Sequence, residues 1–276
     1  MSTIDSADYP DLVDALTKII ISAAEAIRSQ GQGGVTIKAD GSPVTAADEA
    51  AEAVIRDGLE HLSPVLPIIS EEEAERERPD ITGGNYFLVD PLDGTKEFIS
   101  GRDEYTINIA LMADGTPILG VIAAPAQALI WRGIVGRGAE RLKFSGQQAE
   151  TPRSIKTRPR PEGELVVMVS RSHLEARTQA YLDRFPRTRR VGCGSSVKFC
   201  RLAEGAADLY PRLAPTHDWD IAAGHAILVA AGGSVVDPDS GALRYGSPTL
   251  TIPAFLAWGE PPPINVSRPA TDKFRG

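Results

Sequence analysis

The chain has 276 residues, enough to bury a full core as one large domain or two smaller lobes. A formal net charge of −8 argues against a basic nucleic-acid groove but not against a phosphorylated substrate, because bound cations reverse the local sign. Two cysteines, Cys193 and Cys200, are too few for a disulfide framework or a zinc site.

Residues 1–10 are polar and acidic and lack the charged-then-apolar pattern of a secretion signal. Apolar residues at 12, 13, 16, 19, 20, 23 and 27 fall at helical spacing, and Gly31, Gly33 and Gly34 stop the helix. A second helix is predicted over 46–62, its inner face at Ala47, Ala51, Val54, Ile55, Leu59 and Leu62. Pro64 and Pro67 break the chain before a short strand at Ile68-Ile69, and residues 71–80 read as a charged loop or frayed helix. Strands follow at 86–90, 105–111, 119–124 and 129–135, and their short connections predict an antiparallel meander.

Residues 145–163 lack apolar periodicity and carry several prolines and arginines, and are taken as the join between two lobes, 1–150 and 151–276. Beyond it the pattern changes to alternating strands and helices: strand 165–170, helix 175–184, strand 189–191, helix 197–204, strand 209–210. A helix over 221–231 stops at Gly232-Gly233, a hairpin closes over 237–241, and the Pro-rich, polar last dozen residues are expected to be mobile. The 221–231 segment, the most apolar helical stretch, is too short to span a bilayer. No integral membrane segment is therefore expected, a cytoplasmic location is, and the oligomeric state stays open.

Chemistry concentrates in Asp90-Pro91-Leu92-Asp93-Gly94-Thr95, where two carboxylates close an apolar strand and open a turn. Pro91 fixes one torsion and removes a donor, so the chain bends there. The bend can bring both carboxylates and the Leu92 carbonyl to one side, where hard oxygens suit Mg²⁺. Gly94 permits close backbone approach, and the free N–H groups at the start of a helix over 95–98 suit a phosphate. Glu71 ends the strand before it and would lie beside Asp90, whereas Glu72 and Glu73 read as a solvated face. Asp220 is by itself a plain helix N-cap, and Trp219 fits the core as well as a substrate wall. Asp48 has two readings: it completes a capping box with Thr45, and a Thr–Asp pair can also hold and deprotonate a water.

Four strings occur in the order found in the inositol monophosphatase superfamily of Mg²⁺-dependent, typically lithium-sensitive phosphatases, which this chain resembles from about residue 12 to 259. They are Asp40-Gly41-Ser42-Pro43-Val44-Thr45-Ala46-Ala47-Asp48, Pro67-Ile68-Ile69-Ser70-Glu71-Glu72, the Asp90–Thr95 string and Trp219-Asp220-Ile221-Ala222-Ala223-Gly224. Within it the chain is most similar to the CysQ branch of 3′(2′),5′-bisphosphate nucleotidases. That likeness rests on Lys96-Glu97-Phe98, Ser170-Arg171-Ser172-His173, Gly194-Ser195-Ser196-Val197-Lys198-Phe199-Cys200 and the run from Ala203-Glu204-Gly205 to Leu209-Tyr210-Pro211-Arg212.

The resemblance implies a mixed α/β fold, a two-lobed, layered αβαβα sandwich like that of fructose-1,6-bisphosphatase. It implies hydrolysis of 3′-phosphoadenosine 5′-phosphate, a small nucleotide bisphosphate, to AMP and phosphate with two or three Mg²⁺. The metal ligands would be Glu71, Asp90, the Leu92 carbonyl, Asp93 and Asp220. Thr95, Asp48 and Thr45 would orient or activate water, with Glu71 counted among the catalytic groups, and the Gly94 and Thr95 amides would hold the scissile phosphate. Ser170, Arg171, His173, Ser195, Ser196, Lys198, Arg212 and Asp220 would line the substrate side, with Arg171 and Lys198 facing the second phosphate. Taken without the resemblance, His173 is an ordinary turn residue and Arg171 and Lys198 are ordinary surface charges. An inositol- or sugar-phosphate phosphatase, or a non-catalytic phosphometabolite-binding protein, are the alternatives.

Overall fold

A computed structural model of the chain describes residues 4–31, 34–37, 43–63, 65–73, 84–171, 175–239 and 241–260. His173, the Asp40-Gly41-Ser42 start of one string, most of the charged 71–80 segment and the last dozen residues lie outside the described residues.

Helix α1 (Tyr9–Gln30) and helix α2 (Ala46–Leu62) form where the apolar spacing predicts them. Between them β1 (Thr36–Ile37) and β2 (Pro43–Val44) pair as a small antiparallel ribbon. Both helices lie on one face of a large sheet. Its strands are β3 (Ile68–Ser70), β4 (Asn85–Asp93), β5 (Thr106–Ala113), β6 (Thr116–Ala124), β7 (Leu129–Ile134), β8 (Gly138–Ser145), β9 (Gln148–Ala149) and β10 (Arg153–Ile155). β4 to β7 run as the expected antiparallel meander, β8 extends it by one strand, and β3 joins β4 in parallel. Strand β8 was not expected, nor was β10, which pairs with it from within the segment taken as a join. The buried positions of β8, Ala139, Leu142 and Phe144, do not alternate strictly, so the two-residue period is broken.

A short helix α3 (Thr95–Ile99) connects β4 to β5. The second sheet has the order β12-β11-β13-β17-β15, from β11 (Leu165–Ser170), β12 (Thr188–Cys193), β13 (Leu209–Arg212), β15 (Ser234–Val236) and β17 (Phe255–Trp258). β14 (Thr216–His217) and β16 (Thr251–Ile252) pair separately. Helix α4 (Ala176–Leu182) covers one face of this sheet, and α5 (Val197–Ala203) and α6 (Asp218–Ala230) fill the space between the two sheets.

Three apolar clusters mark the layers. α1 and α2 meet the large sheet through Leu16, Ile20, Ile55, Phe87, Ile107 and Val121. The opposite face, with Tyr86, Ile122 and Trp131, meets α5, α6 and the inner face of the second sheet. Leu182 of α4 packs with Val167, Leu209 and Leu256 on the outer face. Helix, sheet, helix, sheet and helix therefore stack as five layers, each sheet buried on both faces, which is why the central strands carry near-continuous apolar runs. Among the described residues no helix is long and apolar enough to cross a membrane.

Candidate active site

Strand β4 carries an apolar run along the large sheet, between β3 and β5, and ends on Asp90-Pro91-Leu92-Asp93. Its register with β5 shifts between Asp90 and Asp93, so the bend expected at Pro91 is a bulge within the strand. Asp90 is 1% exposed; its Oδ1 accepts from the Leu92 N–H at 3.1 Å, and its Oδ2 is buried without a hydrogen-bond partner. Gly94 follows with φ +91°, a left-handed conformation that L side chains rarely adopt, and starts α3.

Parallel pairing of β3 with β4 sets Ser70 opposite Val89, and the Glu71 N–H donates to the Val89 carbonyl at 3.1 Å. Glu71 therefore sits next to Asp90, at the same end of the sheet. Asp220 arrives from α6. This helix begins at Asp218, three residues earlier than expected, with His217 as its cap. Asp220 is thus not the N-cap but the third helical residue, accepting from the His217 N–H at 3.1 Å and from the Thr216 hydroxyl.

Glu71, Asp90, Leu92, Asp93, Gly94, Thr95 and Asp220 line one cleft of about 380 Å³, together with Ser170, Ser195, Ser196, Lys198 and Arg212. Burial pushes the Asp90 carboxyl well above the usual carboxylate range, and the charges of Glu71, Asp93, Asp220 and Asp48 push it further. Asp93 is raised to about 6 by burial and the Asp220 charge, against the opposing pull of Lys198, the Ser196 N–H and Arg212. Such mutual repulsion between like charges is relieved by a cation. Among the described residues no three His, Cys, Asp or Glu side chains stand close enough to enclose an ion as they are. The donor set nevertheless fits Mg²⁺: it is all hard oxygen, and the Asp90 Oδ2 is a buried acceptor with nothing to accept from.

Asp48 lies behind the cleft, 2% exposed. Its Oδ2 accepts from the Thr45 N–H at 2.8 Å and the Thr45 hydroxyl at 2.6 Å, and its Oδ1 from the Thr95 hydroxyl at 3.2 Å. The capping box is present, and the same carboxylate reaches the cleft through Thr95. Burial raises the Asp48 pKa, against these hydrogen bonds.

The basic candidates separate. Lys198 is buried, with its ammonium 2.6 Å from the Ser195 carbonyl, 3.3 Å from that of Cys193 and over the Tyr210 ring. The Arg212 guanidinium faces the cleft, donates to the Pro215 carbonyl at 3.1 Å and keeps a buried Nε without a hydrogen-bond partner. Arg171 does not line the cleft; it forks onto Glu104.

Four supporting residues, Thr106, Asn108, Glu52 and Glu104, escape a reading of the sequence. The Ser196 N–H donates to Asp93 Oδ2 at 2.7 Å, and the Ser196 hydroxyl sits 2.6 Å from Asn108 Oδ1 and 2.8 Å from the Thr106 hydroxyl. Thr106 and Asn108 are polar residues alternating within an apolar strand, a signal that was available. Glu52, buried on the inner face of α2 one turn beyond Asp48, accepts from the Ser70 hydroxyl and so anchors the residue before Glu71. Glu104 ties Arg171 to the Gly194 N–H, and its position in a loop gives no periodic signal.

The sequence profile of the Inositol monophosphatase family matches residues 8–261. CysQ of Escherichia coli strain K12, a 3′(2′),5′-bisphosphate nucleotidase, is 41% identical over 239 residues, covering 85% of this chain and 94% of that protein. The CysQ of Salmonella typhimurium is 44% identical over 209 residues, covering 75% and 81%. The crystal structure of CysQ from Bacteroides thetaiotaomicron, 33% identical, superposes with a TM-score of 0.74 over 89% of this chain and 96% of the other. The chain belongs to the inositol monophosphatase family.

Proposed function

We propose that the chain is a Mg²⁺-dependent 3′(2′),5′-bisphosphate nucleotidase, acting in the cytoplasm on 3′-phosphoadenosine 5′-phosphate to give AMP and phosphate. The observation that carries this is a single cleft joining Glu71, Asp90, Asp93 and Asp220 with three basic side chains, Lys96, Lys198 and Arg212: carboxylates to hold metal ions beside cations to meet a second phosphate. Residues 1–150 would form the lobe that brings most of the metal ligands, and residues 151–276 the lobe that brings Asp220 and the nucleotide side.

Glu71, Asp90, the Leu92 carbonyl, Asp93 and Asp220 would hold two or three Mg²⁺. When bound, the ions supply Lewis-acid polarisation of the phosphoryl oxygens and neutralise the carboxylates. The Gly94 and Thr95 amides, at the open start of α3, hold the 3′-phosphate oxygens. The Thr95 hydroxyl orients the attacking water and passes its proton to Asp48, whose raised pKa makes it a stronger base than an exposed carboxylate. The water oxygen bonds to phosphorus as the P–O3′ bond breaks, and the 3′ oxygen leaves as a hydroxyl after taking a proton from solvent. The second phosphate is met by Lys198, Arg212 and the Ser195 hydroxyl, which is buried without a partner.

The test is phosphate release from 3′-phosphoadenosine 5′-phosphate, inositol 1-phosphate and fructose 1,6-bisphosphate, each with Mg²⁺, with EDTA and with added Li⁺. The bisphosphonucleotide is expected to be turned over fastest, to need Mg²⁺ and to be inhibited by Li⁺, and Lys198→Ala is expected to erode its lead. Preference for inositol 1-phosphate would replace the nucleotide assignment with a sugar-phosphate one. No release from any of the three would leave a phosphometabolite-binding protein.

A further inference from the structure

Arg171 is the one cation carried by the family likeness that the structure describes outside the cleft, and what it does there is specific. Its Nε donates to Glu104 Oε2 at 3.0 Å and its Nη2 to Glu104 Oε1 at 2.5 Å, a two-pronged carboxylate contact, while Nη2 also reaches the Gly192 carbonyl at 2.9 Å. Glu104 Oε2 in turn accepts from the Gly194 N–H at 3.1 Å. The backbone is pressed close there. A Cβ on Gly194 would fall 2.8 Å from the Glu104 carbonyl oxygen and 3.0 Å from Glu97 Cγ.

The turn that follows Gly194 delivers groups to the cleft. Ser195 has φ +43°, a left-handed conformation that non-glycine residues rarely adopt, so its neighbours must hold it. Its hydroxyl is buried at the cleft without a partner. One residue on, the Ser196 N–H bonds Asp93 and the Ser196 hydroxyl bonds Asn108. The turn is fixed to the large sheet at Ser196 and held from beneath by the Lys198 ammonium, and Glu104 is its anchor on the Gly194 side.

We propose that Glu104 is a positioning residue, aligned by Arg171, that sets the 193–196 turn against Asp93 and thereby fixes where Ser195 meets the substrate. Arg171 works through Glu104 and does not touch a phosphate. The proposal deepens the nucleotidase reading and rests on it for its kinetic arm, but its structural arm does not.

Glu104→Gln keeps the volume and one acceptor for Gly194 but removes the charge that grips Arg171, and Arg171→Ala removes the grip from the other side. Each is expected to raise KM for 3′-phosphoadenosine 5′-phosphate by roughly tenfold with kcat changed less, and Arg171→Lys to restore part of the loss. Because the two act as one unit, the double variant is expected to be no worse than either single. In substrate-free protein, hydrogen exchange across 193–197 is expected to speed up in both single variants.

Additive losses in the double variant would overturn the proposal, as would a lower KM in Glu104→Gln, since freeing Arg171 would then improve phosphate binding. Unchanged exchange across 193–197 would overturn it too. If the unmodified protein hydrolyses none of the phosphate esters, the nucleotidase reading fails, and the exchange measurement still decides whether Glu104 and Arg171 hold the turn.

Discussion

Asp48 combines two roles in one carboxylate, and Asp48→Asn separates them. The group is 2% exposed and accepts three hydrogen bonds, two from Thr45 and one from Thr95, at 2.6–3.2 Å. As a helix cap Asn is nearly the equal of Asp. Its carbonyl oxygen can keep the Thr45 N–H, but its NH₂ replaces an acceptor with a donor and must face a hydroxyl that turns to accept. The two charge-assisted bonds from Thr45 become neutral and the one from Thr95 is reversed, a net cost of about 1 kcal/mol. At this chain length that lowers Tm by roughly 2–4 °C. As a proton acceptor, Asn is worthless. Losing a positioned general base costs about 10²- to 10⁴-fold in rate, or roughly 3–5 kcal/mol in the barrier. Steady-state phosphate release at saturating Mg²⁺ and substrate, paired with thermal unfolding, reads both numbers on one preparation. Thr45, expected to help with the water, does not line the cleft and bonds Asp48 instead, so Thr45→Ala is the control: it removes a donor to the same carboxylate and should cost about 1 kcal/mol of stability while sparing most of kcat. If the Asp48→Asn protein kept kcat within about threefold of the parent, well short of the loss expected of a missing base, Asp48 would only cap α2, and the proton route through Thr95 would be wrong.

Two further outcomes follow from packing and burial. A Cβ at Gly120 on β6 would lie 2.3 Å from the Ala223 carbonyl oxygen of α6, so Gly120→Ala must push that helix off the sheet. Overpacking of this kind costs about 1–3 kcal/mol, and because α6 carries Asp220, activity should fall with Tm; full activity at unchanged Tm would show that the helix has slack. His225 is buried against the Tyr245 hydroxyl at 2.8 Å, and burial lowers its pKa to about 4. The unfolded chain therefore binds the extra proton between about pH 4 and 6.5, and this group's stabilisation is complete above 6.5 and lost as pH falls, by roughly 3 kcal/mol in all. Asp218, raised to about 6 by burial, has the opposite sign, stabilising below its unfolded value and losing that as pH rises towards 6. Asp218 titrates in parent and variant alike, so His225→Gln should gain stability relative to the parent as pH falls from 6.5 to 4, measured by urea unfolding; a constant difference across that range would mean that His225 titrates normally.

The pattern of what the sequence discloses has a physical basis. Asp90, Asp93 and Glu71 are legible because one local device, a strand ending in a bend or a helix start, decides where each carboxylate points. Asp220 is legible as a residue but not as a position. Aspartate outranks histidine as a helix cap, so the sequence predicts the helix to start after it, whereas His217 caps α6 and moves Asp220 one turn inside. The props of the site are not local at all. Ser196 and Asn108 stand 88 residues apart, and only the stacking of α5 between two sheets brings them together.

Arg171 shows the limit most sharply. Its likeness to the nucleotidase branch comes from a string, Ser170-Arg171, in which both residues are carried over to the cleft. Successive side chains at a strand end point to opposite faces, so two neighbours cannot both face one cleft while the chain stays extended. Ser170, the last residue of β11, lines the cleft, and Arg171 turns away onto Glu104. A motif transfers residue types, and the two-residue period of the strand decides which of them reach the substrate. That is why Glu104, absent from every string, belongs to the same argument as Asp93.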